Sequence, residues 1–251
     1  MKKGFWTTVK DIIRKADVVL EILDARMPDI TRNEKLESYA TGFGKHVILV
    51  INKADLVSET GRRNIRERFR NLDCVMVSAK HSRGIKELVA MIKSKIKREP
   101  IKVTFIGYPN TGKSSLINQL SKGGKARTSP ESGFTRGIQL IRGKGGLMLM
   151  DTPGVVPYAD RDEIRLGLMS GISPAKLKDP DLVVYELVKM FQKDNPYALE
   201  KAYGIDIKQE PEEILVEFGK NRNMFQKGGV VDERRAAIQL LREWHNGKIR
   251  L

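Results

Sequence analysis

Residues 107–114 read Gly-Tyr-Pro-Asn-Thr-Gly-Lys-Ser, and this octapeptide constrains the fold more than any other stretch of the chain. It follows an apolar, β-rich run, Lys102–Ile106, and opens a helix-prone segment, Lys113–Leu120. A GxxxxGK[ST] turn between a strand and a helix is a phosphate cradle. Its glycines let backbone N–H groups turn inward, and the helix N-terminus favours an anion. Asn110, Thr111, Gly112, Lys113, Ser114 and Ser115 are therefore candidate nucleotide contacts. Lys113 is expected to reach the β- and γ-phosphates, and the Ser114 hydroxyl to bind Mg²⁺.

The same alternation recurs on both sides of this turn. Val18–Asp24, Val47–Ile51 and Cys74–Val77 read as strands upstream, and Ile138–Arg142 and Leu147–Met150 as strands downstream. Polar, helix-prone stretches such as Glu59–Arg70 lie between the upstream runs, and Lys86–Lys97 reads as a helix after them. Strands alternating with helices predict an α/β fold, a mainly parallel sheet with helices on both faces. The single cysteine, Cys74, is expected to be a buried strand residue, since one thiol makes no internal disulfide.

Four further motifs fall at strand ends or in a loop. Asp151-Thr152-Pro153-Gly154 follows Leu147–Met150; Asp151 there is a candidate Mg²⁺ ligand, and the Gly154 N–H a candidate γ-phosphate contact. Asn52-Lys53-Ala54-Asp55 follows Val47–Ile51. The Asp55 carboxylate can accept from the N1–H and N2–H₂ edge of guanine, a donor pair that adenine lacks, so it selects GTP over ATP. Ser78-Ala79-Lys80 follows the third strand, and its N–H groups suit guanine O6. Thr135, in the loop stretch Ser121–Gly137, is a candidate ligand of Mg²⁺ and the γ-phosphate. Together the motifs describe a GTP/GDP site, with elements in the order G4, G5, G1, G2, G3. That order is a circular permutation of the usual one, which a sheet tolerates when the chain is rejoined at surface loops.

Beyond residue 160 the pattern changes. Pro174, Pro180, Pro196 and Pro211 punctuate helical segments, Asp181–Phe191, Pro196–Ala202, Glu212–Lys220 and Asp232–His245. Asp232 can cap the last of these, with Ile238, Leu241 and Trp244 on its apolar side and Gly247 ending it. The expected domains are a G domain over 1–160 and a helical domain over 161–251. Lys and Arg number 46 against 31 Asp and Glu, a formal charge of +15, which points to a polyanionic partner. Arg222, Lys227, Arg234, Arg235, Arg242, Lys248 and Arg250 concentrate part of that charge in the tail. The charged N-terminus has no apolar core, and no run approaches the ~18 apolar residues of a membrane span. A cytoplasmic location is the expectation.

With these motifs the chain resembles the YlqF/RbgA family of circularly permuted GTPases over nearly its whole length. Asp24-Ala25-Arg26-Met27-Pro28 looks like that family's DARxP motif, Ser132–Gly137 is similar to its switch I, and the tail from Lys220-Asn221-Arg222 through Lys227–Asp232 to Leu241-Arg242-Glu243 looks like its helical C-terminal domain. The resemblance implies a GTPase acting in assembly of the large ribosomal subunit by contacting rRNA. Neither DNA nor membrane is expected as a partner, and a monomer is the expectation. It also implies potassium-assisted hydrolysis, with Asn110 as the K⁺ ligand. Slow intrinsic turnover, raised by the ribosome and K⁺, is expected.

The catalytic group is left unassigned. Val155 follows Gly154 where other GTPases carry a water-orienting glutamine. The first ten residues hold no histidine, and His46, His81 and His245 read as structural or exposed. Arg26 reads either as an interaction residue or as a strand-end ion pair. The alternative function is a regulatory GTPase acting on a protein or membrane partner without RNA.

Overall fold

A computed structural model describes residues 3–122, 139–151 and 162–251. These residues fall into two compact units, 3–55 with 62–151 and 56–61 with 162–251.

The first unit is an α/β layer structure. In chain order it comprises α1 (Lys3–Lys15), β1 (Val18–Asp24), α2 (Pro28–Thr31), α3 (Glu34–Gly42), β2 (His46–Asn52), α4 (Glu59–Arg68), β3 (Cys74–Met76), α5 (Ile85–Lys95), β4 (Ile101–Ile106), α6 (Lys113–Leu120), β5 (Gln139–Arg142) and β6 (Leu147–Asp151). The start of α4 belongs by its contacts to the second unit. The six strands form one sheet in the order β3-β2-β1-β4-β6-β5. β5 runs antiparallel to β6, and the other neighbours pair in parallel.

Side-chain alternation along the strands builds two apolar layers. Val18, Leu20 and Ile22 of β1 and Val103 and Phe105 of β4 pack with Leu88 and Ile92 of α5 and Leu116 and Leu120 of α6. On the other face Val19 packs with Val9 and Ile13 of α1 and Leu36 and Ala40 of α3. Glu21 shares that second face and is fully buried. The Asn33 N–H donates to its Oε1 at 2.6 Å, while its Oε2 has no hydrogen-bond partner. Burial, reinforced by the nearby Glu37 charge, pushes the Glu21 pKa up to about 8.

Two expectations change here. Cys74 is only half-buried, because β3 is a three-residue strand at the sheet edge, with a neighbour on one side alone. Helix α1 was not anticipated from the charged N-terminus. Its signal is the spacing of Val9, Ile12, Ile13 and Ala16, all buried, which is one face of a helix and its exit.

The second unit is helical: α7 (Glu163–Leu168), α8 (Pro180–Asp194), α9 (Tyr197–Tyr203), α10 (Pro211–Asn221) and α11 (Glu233–His245). α8 packs against α7, α10 and α11. It buries Val183, Val184, Leu187, Val188 and Phe191. Phe191 meets Trp244 edge-on, with ring centroids 5.7 Å apart, and the Trp244 indole N–H donates to the Leu168 carbonyl at 3.0 Å. Asp232 caps α11 by accepting from the Arg235 N–H, as expected. The apolar face of α11 is carried by Ala236, Ala237, Leu240, Leu241 and Trp244, with Ile238 only half-buried at its margin. The C-terminal Leu251 exchanges backbone hydrogen bonds with this unit's segment 56–61, to the Leu56 carbonyl and from the Ser58 N–H.

Two tail cations expected to face solvent or a partner are engaged within this unit. Arg234 donates to the carbonyls of Leu177 and Lys178 at 2.9 and 2.8 Å. Arg222 lies over the rings of Tyr203 and Phe218 and donates to Glu243 at 3.3 Å. Glu243 is buried and also accepts from Tyr203 Oη at 2.7 Å and Gln239 Nε2 at 2.9 Å. Burial alone would raise the Glu243 pKa; the bonds from Gln239 and Tyr203 and the Arg222 charge outweigh it and hold the pKa below the usual range. Lys227, Arg235, Arg242 and Arg250 are exposed.

Candidate functional site

The candidate motifs converge because parallel strands deliver their C-terminal ends to one edge of a sheet. β2 ends at Asn52, β3 just before Ser78, β4 just before Gly107, and β6 at Asp151. β1 and β4 are neighbours, and β2 pairs with β1 on the far side from β4.

Asn52 is the junction. It is buried, and its side-chain Nδ2 donates to the Thr111 carbonyl at 2.8 Å. Its Oδ1 accepts from the Ala79 N–H at 3.0 Å. One amide therefore ties the end of β2 both to the glycine-rich turn and to the Ser78–Lys80 loop. Both of its polar ends are used, as a buried amide requires. Ser78 Oγ donates to Asp55 Oδ1 at 2.6 Å, and His81 Nε2 lies 3.5 Å from Asp55 Oδ2. The Asp55 carboxylate is thus oriented from the loop that follows β3.

Two glycines of the turn are sterically required. Gly107 has φ +136°, and a Cβ there would lie 2.5 Å from the Ile22 carbonyl oxygen. Gly112 has φ +98°, and a Cβ there would lie 2.2 Å from Asn52 Nδ2. Gly112 is the N-cap of α6, which starts at Lys113. Thr111 is buried, and its Oγ1 donates to the Tyr108 carbonyl at 2.9 Å. The Lys113 ammonium curls back onto the carbonyls of Gly107 and Tyr108 at 2.8 and 2.7 Å. Burial pulls its pKa down to about 8. An ammonium removed from water, with only neutral acceptors beside it, stands at the mouth of a helix N-terminus. The arrangement is chemically suited to an anionic phosphate. Asn110, Ser114 and Ser115 are exposed around that mouth, and Asn110 has the left-handed φ of 59°. A serine hydroxyl exposed on the first turn of this helix is a hard oxygen donor of the kind Mg²⁺ takes. Lys80 is exposed at the rim.

Thr135, Gly154, Val155 and the Asp151 side chain lie outside the described residues, and the backbone of Asp151 ends β6. Of the histidines, His46 is exposed at the start of β2 and His245 Nε2 is 2.7 Å from the Gly167 carbonyl in the helical unit.

The sequence left the role of the Asp24–Pro28 motif open, and here it is tied to the Asn52–Asp55 segment through Lys53. Asp24 and Arg26 are both buried. The Arg26 guanidinium forks onto the carboxylate, Nε to Oδ1 at 3.0 Å and the terminal nitrogen to Oδ2 at 2.8 Å. Lys53 Nζ reaches the same Oδ2 at 2.8 Å. Burial works to raise the Asp24 pKa, but the two cations outweigh it and hold the carboxyl down to about 2. Burial lowers the Lys53 pKa against the pull of Asp24.

A model described as the RsgA GTPase matches residues 8–159, and one described as the 50S ribosome-binding GTPase matches residues 102–217. The chain is 37% identical over 244 residues to an uncharacterized GTP-binding protein of Methanocaldococcus jannaschii, covering 96% of this chain and 65% of that one. It is 29% identical over 259 residues to ribosome biogenesis GTPase A of Bacillus cereus, covering 96% and 86%. To nucleolar GTP-binding protein 2 of Saccharomyces cerevisiae it is 31% identical over 258 residues, covering 98% and 52%. The chain thus spans less than two thirds of the archaeal relative and about half of the yeast one. In fold it is similar to GDP-bound YlqF from T. maritima, with a TM-score of 0.67 at 24% identity, covering 96% of this chain and 95% of that one.

Proposed function

This chain belongs to the circularly permuted GTPases of the YlqF/RbgA type, and from that premise we propose that it binds and hydrolyses GTP as a switch in assembly of the large ribosomal subunit. The observation that carries the reading is the bridge from Asn52 to Thr111 and Ala79. It ties the segment that carries Asp55 to the turn that carries Lys113, which supports a single nucleotide pocket built from motifs that the gene presents out of the usual order.

In this reading Lys113 leaves the Gly107 and Tyr108 carbonyls for the β- and γ-phosphates. Thr111, Gly112, Ser114 and Ser115 line the phosphates, Asp55 reads the guanine N1–H and N2–H₂, and Ala79 and Lys80 flank its O6 side. Ser114, Thr135 and Asp151 hold Mg²⁺, which spreads the charge of the phosphates when bound. Asn110 is the proposed K⁺ ligand, and Gly154 the sensor of the γ-phosphate. The unit over 161–251 is the proposed rRNA-contacting domain, supported by the net charge of +15 and by the exposed Lys227, Arg235, Arg242 and Arg250. Action as a monomer in the cytoplasm completes the proposal. Among the described residues no helix is long and apolar enough to cross a membrane.

The test is sedimentation of the protein with purified large ribosomal subunits in GDP, in a non-hydrolysable GTP analogue and without nucleotide, with hydrolysis measured in parallel in Na⁺ and K⁺. Co-sedimentation that depends on nucleotide, and hydrolysis raised by subunits and K⁺, are expected. Guanine-specific binding without any association with subunits would replace this reading with that of a GTPase serving a protein or membrane partner.

A further inference from the structure

Lys53 occupies an unusual backbone position. Its φ is +62°, the left-handed region that residues with a Cβ rarely adopt. It is the residue at which the chain leaves β2 and turns towards Asp55. Asn52 before it faces the glycine-rich turn, Asp55 after it faces Ser78, and the Ala54 N–H between them is held by the Val77 carbonyl at 3.1 Å. The aim of the carboxylate at position 55 therefore depends on how firmly the turn at Lys53 is fixed.

A long, flexible side chain does not fix a backbone turn unless its end is anchored. The anchor for Lys53 is Asp24, the register partner of Asn52 across the β1–β2 pair. The following residue, Ala25, donates its N–H to the Asn52 carbonyl at 2.8 Å, so the two strand ends are also joined through backbone. Asp24 is itself immobilised. Its N–H donates to Thr31 Oγ1 at 3.0 Å, and its Oδ1 accepts from the Arg26 N–H at 3.0 Å in addition to the guanidinium fork. Thr31 Oγ1 in turn donates to the Met27 carbonyl at 3.0 Å. A surface ion pair would hold Lys53 weakly. This pair has a fully locked acid at one end, with side-chain exposure of 4% for Asp24 and 0% for Arg26.

We infer that Asp24, locked by Arg26, is a positioning residue for guanine specificity: it clamps Lys53 in its left-handed turn and so sets the direction of the Asp55 carboxylate. The inference rests on the proposed GTP site. It gives the Asp24–Pro28 segment a task in nucleotide selection although no residue of it is placed against the nucleotide.

The experiment compares GDP, IDP and ADP binding to the full chain by equilibrium titration, alongside thermal melting. GDP and IDP differ only in the N2 amino group, the group Asp55 is proposed to read. Their affinity ratio therefore reports the aim of Asp55 and is insensitive to loss of folded protein. In Asp24→Asn the preference for GDP over IDP is expected to fall by about tenfold, the scale of one charge-assisted hydrogen bond. Lys53→Met, which cuts the clamp from the other side, should compress the ratio similarly, and Lys53→Arg should restore most of it. A merely structural role would lower the melting temperature and leave the ratio unchanged. If Asp24→Asn does not fold, the ratio in Lys53→Met decides. An unchanged GDP/IDP preference in the folded variants overturns the inference and leaves the proposed function standing. A wild-type protein that binds GDP no better than ADP overturns both.

Discussion

Asn52 Nδ2 lies 2.8 Å from the carbonyl oxygen of Thr111, across 59 residues of chain, and the other end of the same amide receives the Ala79 N–H. This one side chain closes the candidate site. Replacing it with alanine leaves a buried carbonyl and a buried N–H without partners, at a cost of about 1–3 kcal/mol each. Asn52→Ala is therefore expected to weaken guanine nucleotide binding by roughly tenfold or more, read by titration of a fluorescent GDP analogue. Affinity equal to wild type in a folded variant would show that the amide does not organise the pocket.

Gly112 offers a steric test of the same junction. A methyl group there would sit 2.2 Å from Asn52 Nδ2 on a backbone at φ +98°. Gly112→Ala must displace the Asn52 amide and pay for a strained conformation, together costing about 2 kcal/mol or more. Lower thermal stability and loss of nucleotide binding are the expected outcome. Gly204→Ala is the control: it also has positive φ, +70°, but a Cβ there meets nothing within 4 Å, so only the backbone strain should register.

Glu21 should leave a mark on the pH dependence of folding. In the unfolded chain its carboxyl ionises near the ordinary 4.5, whereas in the folded protein it keeps its proton until about pH 8. Unfolding between those values releases a proton, so this group's contribution to stability is full below pH 4.5, declines as pH rises, and levels off above about 8. Glu21→Gln keeps the acceptor for the Asn33 N–H and removes the ionisation. Denaturant titrations at several pH values should show this decline reduced, with the variant gaining on wild type by roughly 2–4 kcal/mol near pH 8. Parallel wild-type and variant curves would contradict the buried-acid assignment. Asp24 acts at the other end of the scale: its lowered pKa makes a contribution that is lost as pH falls from about 3.8 towards about 2.

The basic tail divides into two classes that substitution should separate. Lys227, Arg235, Arg242 and Arg250 are exposed, and neutralising them together should leave stability nearly unchanged while weakening RNA binding. Each lost phosphate contact should flatten the plot of log affinity against log salt by about one unit. Arg234→Ala instead frees the Leu177 and Lys178 carbonyls, and Arg222→Ala removes a cation from the buried Glu243. These two should lower the melting temperature first. RNA affinity falling with unchanged stability in Arg234→Ala would place it in the first class.

Much of this molecule was legible from the chain, because strand runs and glycine turns are local signals. The run Val18–Asp24 is a strand of those bounds, and the segments after β2, β3 and β4 stand where their motifs indicated. α1 was hidden because its helical face is formed by few apolar positions among many charges. Cys74 was misjudged because an apolar composition does not say which strand lies at an edge. The sequence does not choose between the two readings of Arg26, because a salt bridge has no periodicity.

What the sequence determined by itself was the kind of turn at Gly107–Ser114, the α/β alternation and the chemistry of each motif. All of these follow from backbone preferences within a few residues. Tertiary structure alone decided that Asn52 meets Thr111, that Asp24 holds Lys53, and that the exposed Arg222 and Arg234 are hydrogen-bonded to Glu243 and to the Leu177 and Lys178 carbonyls. The physical reason is distance along the chain. Contacts between residues tens of positions apart depend on strand order and helix packing, and those are chosen by burial of the whole core rather than by the residues that happen to meet.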